Sequence, residues 1–490
     1  MIKINCFIPA DSFVGVANMI NELQANPLVE TIFLPANLVA EAGEKAKAFS
    51  FEGLTTTSTV KRITEVSKEV DYVLLLTKPC SVKLGQFAIE RLVETAEATG
   101  ALKVYADYYE VKEGKLAAHP VIDYQEGSLR DDFNFGPLVL YKASALHTAV
   151  AKITQDFEYA GLYYLRLKVS QHGNFFRIPE YLYTIDETDT RKSGQKIFDY
   201  VDPKNRQVQL EMEQAATEHL KDVGAWLSSD FKPVELDLRA FDKKLSVIIP
   251  VRNREKTIAD AMESVLIQKT DFNFNLIVVD NHSTDKTSTI IKSIAENDER
   301  VVHIIPVRED LGIGGCWNLG VHDPRCGMIA MQLDSDDIYK DETTLQKVAD
   351  VFDAEKCAMV VGTYQLVNFD LEEIPPGIID HKEWTPENGK NNAMRINGLG
   401  APRAFYTPVL RDVKVPNTSY GEDYAVGLAI SRNYQIGRIY DNIYLCRRWE
   451  DNSDAALDIV KMNAHNTYKD RIRTIELKAR QKKNQSKSPL

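Results

Sequence analysis

Three aspartates fall within four residues at Asp334-Ser335-Asp336-Asp337, just after the apolar run Met328-Ile329-Ala330-Met331. A buried strand ending this way concentrates negative charge, which is costly unless a cation compensates it. Oxygen-only ligands point to magnesium or manganese rather than zinc. A metal at a strand's carboxyl end most often serves a phosphorylated ligand, because Mg²⁺ keeps positions open for phosphate oxygens. Two further acidic stations lie elsewhere in the chain. Asp280 ends the run Leu276-Ile277-Val278-Val279, and Glu422-Asp423 follows the turn Asn417-Thr418-Ser419-Tyr420-Gly421 and opens a helical pattern.

The elements that must position these acids alternate between strand and helix. Leu245-Ser246-Val247-Ile248-Ile249-Pro250 is a β-branched run, and Ile258, Met262, Val265 and Leu266 then share one helical face. After Asp280 a helix is expected from near Asp285, with Ile290, Ile291 and Ile294 inward. The Gly-rich turn Leu311-Gly312-Ile313-Gly314-Gly315 precedes the strand that ends at Asp334. No helix pattern is read directly after these glycines, so they do not form a dinucleotide fingerprint. Asp341 caps a further helix with Leu345, Val348 and Phe352 inward. This alternation is that of an α/β protein with a mostly parallel, doubly wound sheet, whose ligands sit at the strands' carboxyl ends, where Pro250, Asp280 and Asp334 fall.

The amino half repeats the plan. Phe176-Arg177-Ile178-Pro179-Glu180-Tyr181-Leu182-Tyr183 reads against Gly437-Arg438-Ile439-Tyr440-Asp441-Asn442-Ile443-Tyr444, and Gly136-Pro137 and Tyr141 against Ala401-Pro402 and Tyr406. The acids are absent from this copy. Thr77-Lys78-Pro79 faces Asp334-Ser335-Asp336, Pro35 faces Asp280, and Gly161-Leu162 faces Glu422-Asp423. The expected domains are residues 1–225, a linker 226–243, residues 244–465 carrying the chemistry, and a basic tail 466–490. Asp202-Pro203 opens a helix with Val208, Met212, Ala215 and His219 on its inner face. In the tail, Tyr468, Ile472, Ile475 and Ala479 recur at heptad-like spacing before Lys482-Lys483.

At 490 residues with a formal net charge of -12, the chain is long enough for two or three domains and too acidic for nucleic acid to be its main partner. The six cysteines are scattered, without zinc spacing, and read as reduced cytoplasmic thiols. The sequence shows no signal-peptide shape and no apolar run of the ~20 residues a membrane helix needs. The expected location is the cytoplasm, with peripheral contact at the inner membrane face open to the basic tail.

The ordered pieces Val247-Ile248-Ile249-Pro250-Val251-Arg252-Asn253-Arg254-Glu255, Val278-Val279-Asp280-Asn281-His282-Ser283-Thr284-Asp285, Trp317-Asn318-Leu319-Gly320, Asp334-Ser335-Asp336 and Gly421-Glu422-Asp423 resemble glycosyltransferase family 2 on the GT-A fold. The resemblance covers about 245–450, with 1–225 as a degenerate GT-A-like copy. It implies a metal-dependent inverting transferase that moves a sugar from a nucleotide-diphosphate donor, UDP-sugars before GDP-mannose, to a glycan or lipid-linked glycan hydroxyl. Asp280, Pro250, Arg252 and Glu255 would form the nucleotide wall. Asp334 would touch the ribose and the metal shell, beside Ser335, and Asp336 would ligate Mg²⁺ or Mn²⁺. Asp423 would be the general base, with Glu422 orienting the acceptor or serving as a second base. Arg447 or Arg448 would grip the diphosphate, with Arg254 a further candidate. Two departures stand out: Cys316-Trp317-Asn318 replaces Ala-Arg-Asn, and Trp449 stands where relatives often carry His.

Blander roles compete with each of these. The strand-end acids could cap the next helix, Asp280 could close an Asx-turn, and Glu422-Asp423 could complement a helix dipole. His282 reads as a loop residue and Trp317 as core. The rival functions are a nucleotidyltransferase, which would want a Gly-rich loop where Val251-Arg252-Asn253-Arg254-Glu255 stands, and a non-catalytic carbohydrate-binding or assembly protein. The first copy is expected to serve as scaffold, homodimer surface or acceptor platform.

Overall fold

The computed structural model describes residues 2–51, 53–112, 114–186, 206–382, 384–448 and 457–487; Asp202, Pro203 and Trp449 lie outside them. The chain divides into two units, Met1–Trp226 with Asp458–Leu490, and Leu227–Leu457. The first unit's strands are β1 (Ile4–Phe7), β2 (Val29–Leu34), β3 (Ala46–Ala48), β4 (Tyr72–Leu76), β5 (Ser81–Leu84), β6 (Lys103–Lys112), β7 (Lys115–His119), β8 (Leu138–Lys142) and β9 (Phe175–Asp186). The second unit's are β10 (Leu245–Val251), β11 (Phe274–Asp280), β12 (Val301–Ile304), β13 (Ile329–Gln332), β14 (Ile338–Tyr339), β15 (Met359–Val367), β16 (Glu373–Ile379), β17 (Arg403–Tyr406) and β18 (Ile436–Arg447).

Each unit folds around one mixed sheet. The orders are β3-β2-β1-β4-β8-β6-β9-β5 with β7 beside β6, and β12-β11-β10-β13-β17-β15-β18-β14 with β16 beside β15. Position by position, the two orders are the same. The contiguous parallel runs are β3-β2-β1-β4 and β12-β11-β10-β13. Their central strands read as mostly apolar stretches, as expected of a sheet covered on both faces, and β4 and β13 are buried along their whole length.

The hydrogen-bond register sets which residues correspond. Ile4 pairs with Tyr72 as Leu245 pairs with Ile329, and Tyr72 pairs with Lys142 as Ile329 pairs with Tyr406. Lys142, not Tyr141, therefore stands at the Tyr406 position; matching tyrosine to tyrosine shifts the alignment by one residue. Phe33 beside Phe7 corresponds to Ile277 beside Ile248, so Ala36 rather than Pro35 faces Asp280. Thr77 and Pro79 face Asp334 and Asp336, as the sequence pairing has it.

The carboxyl-terminal segment is not a separate tail. Helix Ile459–Lys487 belongs to the first unit, and its buried side carries charged residues beside Ile472 and Leu477. Asp470 accepts from Ser128 Oγ at 2.9 Å and Arg473 Nη1 at 2.8 Å, with Arg130 Nε at 3.4 Å. Arg480 pairs with Glu476 at 2.7 Å, and both are buried. Ile475, expected inside by its spacing, is 63% exposed.

Candidate active site

The second unit gathers its acids where β13 ends. Gln332 Nε2 donates to Asp334 Oδ1 at 2.8 Å, and the chain then turns through Ser335, Asp336 and Asp337 into β14. The three aspartates part ways in this turn. Asp337 points inward and accepts from Tyr444 OH and Arg447 N, both at 2.8 Å, so it is a structural carboxylate. Asp334 and Asp336 stay partly accessible. Burial raises the Asp334 carboxyl, Arg403 and Gln332 pull it down, and the Asp336 and Asp423 charges complete a net rise above the usual range.

Helix Glu422–Ser431 supplies the second acidic station, and the Gly-rich turn helps to hold it. A helix, Ile313–His322, begins directly at those glycines, contrary to the sequence reading. A Cβ on Gly314 would lie 1.8 Å from the Pro416 carbonyl oxygen, so only glycine lets this helix meet the 415–419 segment. Asn417 Oδ1 accepts from Gly312 N at 2.8 Å, and Asn318 bonds Val415 through both its amide nitrogen and its amide oxygen. Gly421, at φ 75°, then turns the chain into the helix. Asp423 Oδ1 accepts from Tyr424 N at 2.7 Å, and its Oδ2 lies 2.7 Å from Arg403 Nη1. One buried Glu422 oxygen, Oε2, has no hydrogen-bond partner. Burial and the Asp423 charge push the Glu422 carboxyl up to about 7.

Asp280 ends β11 fully buried, accepting from Ser283 N at 3.1 Å and from Ser288 Oγ, with His303 Nε2 at 3.4 Å. Burial alone would raise this carboxyl, but the hydrogen bonds outweigh it and hold it below its usual range. The loop after β10 is stitched to the loop after β11. Asn253, at φ 53°, donates its N–H to Ser283 Oγ at 3.0 Å, and its Oδ1 accepts from Thr284 N at 2.8 Å. Glu255 Oε2 accepts from Lys286 N at 3.0 Å, and Asp285 Oδ2 accepts from Glu255 N at 3.1 Å. Glu255 therefore caps the opening of helix Thr287–Asn297 as well as lining the loop. Pro250 sits at the end of β10, and Arg252 is exposed beside it.

Four residues that the sequence did not mark as site candidates complete the site: Arg403, Gln332, Tyr444 and Asp260. Arg447 is buried; its Nε donates to the Asp336 carbonyl at 2.5 Å and its Nη1 reaches Asp260 Oδ2 at 2.8 Å. Its guanidinium braces the aspartate turn from behind. Arg448 is half-buried, with its N–H on the Val367 carbonyl at 2.8 Å, and Arg254 Nε lies 3.8 Å from Asp336 Oδ2. Trp317 is core, edge-on to Phe405 at 6.0 Å.

The donor set fits a hard divalent cation. Among the described residues no three ligating side chains converge, but Asp334 and Asp336 offer carboxylate oxygens in a corner where the Asp336 and Asp423 charges help to raise the Asp334 carboxyl. Magnesium is commonly held by one or two carboxylates, with phosphate oxygens and water completing the shell.

Residues 246–410 match the family model described as Glycosyl transferase family 2. An uncharacterized glycosyltransferase of Rickettsia felis is 42% identical over 106 residues, 21% of this chain and 17% of that protein. The GalNAc(5)-diNAcBac-PP-undecaprenol beta-1,3-glucosyltransferase of Campylobacter jejuni is 34% identical over 95 residues, 19% of this chain and 30% of it. The chain thus spans less than a third of either relative. The crystal structure of S. aureus TarS 1–349 in complex with UDP-GlcNAc is similar over 48% of this chain and 71% of that one, at 23% identity and a TM-score of 0.37.

Proposed function

We infer from the segment 246–410, which belongs to glycosyl transferase family 2, that this protein is a glycosyltransferase using a nucleotide-sugar donor and a hydroxyl acceptor. The observation that carries the reading is the corner formed by Asp334, Asp336, Glu422, Asp423 and Arg403 at the carboxyl end of β13. The buried Asp280 and the stitched loops 252–255 and 281–287 form a wall suited to a nucleoside. Asp334 and Asp336 would hold Mg²⁺ or Mn²⁺, which when bound neutralises charge on the leaving diphosphate. Asp423 takes the acceptor hydroxyl's proton, that oxygen bonds to the anomeric carbon, and the bond to the diphosphate oxygen breaks with its electron pair. A single displacement inverts the anomeric centre. UDP-sugars are the first donors to test, with GDP-mannose next. A glycan or lipid-linked glycan is the proposed acceptor, a class that the name of the Campylobacter relative supports. Among the described residues no helix is long and apolar enough to cross a membrane.

The test is a panel of UDP-sugars and GDP-mannose assayed for nucleotide release with Mn²⁺. Turnover of at least one donor, lost in Asp336→Asn, is expected; no turnover of any donor would reject the reading. Diphosphate release from a nucleoside triphosphate would instead favour a nucleotidyltransferase.

A further inference from the structure

The side chain that organises the acidic corner is one no sequence motif pointed to. Arg403 opens β17, opposite Val361, and is largely buried. Its Nη1 lies 2.7 Å from Asp423 Oδ2 and donates to the Leu399 carbonyl at 2.6 Å, so one guanidinium nitrogen is both anchored on the backbone and paired with the carboxylate. Asp334 and Glu422 face the same cation. A buried arginine could simply serve the fold, but the first unit argues otherwise. There Leu74 pairs with Leu140 as Met331 pairs with Ala404, so Val139 occupies the Arg403 position. The same sheet, at the same register, closes around valine. Where the arginine is missing, the acids are missing too: Thr77, Pro79, Gly161 and Leu162 stand in their places.

We propose that Arg403 is a positioning residue which fixes the Asp423 carboxylate in one orientation toward the acceptor hydroxyl, and that it acts through Asp423 rather than on the donor. This rests on the reading of Asp423 as the base. A carboxylate that accepts from Tyr424 N on one oxygen and is ion-paired with Arg403 Nη1 on the other presents its remaining lone pairs in a fixed direction, which is what proton transfer in the transition state requires. Arginine suits the task because its rigid, always charged guanidinium keeps Nη1 between the Leu399 carbonyl and the Asp423 carboxylate.

The experiment is a double-mutant cycle on the full chain. Arg403→Val, Arg403→Lys, Asp423→Asn and the Arg403→Val/Asp423→Asn pair are assayed with whichever UDP-sugar the wild type consumes, and UDP binding is measured with Mn²⁺ present. Arg403→Val is expected to lower kcat about 100-fold, with UDP affinity within about twofold of wild type. Arg403→Lys should recover at least about tenfold of the loss. The pair should be no slower than Asp423→Asn, because a group acting through Asp423 has nothing left to position. Full kcat in Arg403→Val overturns the proposal. So does a pair slower than Asp423→Asn by the same factor that Arg403→Val costs the wild type, or joint loss of UDP binding and kcat with no recovery in Arg403→Lys. A wild type that consumes no sugar nucleotide would instead reject the functional reading itself.

Discussion

The two units solve the same helix opening in different ways. In the first, helix Gly161–Ser170 begins without acids of its own, and Glu211 reaches in from helix Arg206–Asp222 to accept from Tyr159 N at 2.7 Å and Ala160 N at 3.2 Å. In the second, Glu422 and Asp423 stand in the first turn themselves. Both arrangements put a carboxylate at a helix amino terminus, where the dipole favours it. Only the second leaves acids facing Asp334 and Arg403. The sheet order is indifferent to this difference, so the acids are not a demand of the fold, and their cost in the second unit points to use.

That contrast can be broken in several ways. The largest effect expected is on turnover: Asp336→Asn should lower it by about 10²–10³-fold, while Thr77→Asp with Pro79→Asp in the first unit should leave it within about twofold. A first-unit variant that abolished turnover in folded protein would mean the acid-free copy takes part in the chemistry.

Next in size is the stability of the first unit. Asp470→Ala leaves Arg473 and Arg130 without their buried carboxylate and should cost about 3–5 kcal/mol by urea unfolding. An unchanged midpoint would contradict the terminal helix as a built-in part of that unit. In the second unit, Gly314→Ala drives a methyl into the Pro416 carbonyl and should cost about 2–3 kcal/mol, lowering turnover although it touches no acid. Wild-type turnover there would detach the glycine turn from the positioning of Asp423.

The smallest effects are on pH, and they have opposite signs in the two units. Burial, with Arg166 and Lys168 adding and Asp222 opposing, lowers His219 to about 4. Its unfolded value is near 6.5, so the unfolded chain binds more protons between those values, and first-unit stability falls as pH drops through that window. Glu422 is raised to about 7, so the folded chain binds more protons between about 4.5 and 7. Second-unit stability of the metal-free protein therefore falls as pH rises there. His219→Gln and Glu422→Gln should flatten the two limbs separately in calorimetric scans. A limb that persists in its variant would assign it to other groups.

Much of this was legible before the structure. Apolar runs ending in Asp280 and Asp334 located β11 and β13 correctly, because a strand covered on both faces leaves an unbroken hydrophobic signature. The weak identities between the halves fall in two sheets of the same strand order, though register moves Tyr141 to Lys142 and Pro35 to Ala36. Arg403 was invisible because an arginine opening a strand is ordinary until β17 sets it against Asp423. The terminal helix misled for a related reason. Apolar periodicity selected Ile472, which is buried, and Ile475, which is not, because the inward side adds the paired charges of Asp470, Arg473, Glu476 and Arg480 to Ile472 and Leu477. The helix at Gly312-Ile313-Gly314-Gly315 was missed because glycine is a poor helix former, and close packing on 415–419 overrides that preference.

The most direct test of one acid-bearing site and one acid-free copy is the stoichiometry of UDP binding to the full chain by titration calorimetry with Mn²⁺. One UDP per chain is expected, bound only with the metal and lost in Asp336→Asn. Two sites per chain, or binding that survives Asp336→Asn unchanged, would contradict it.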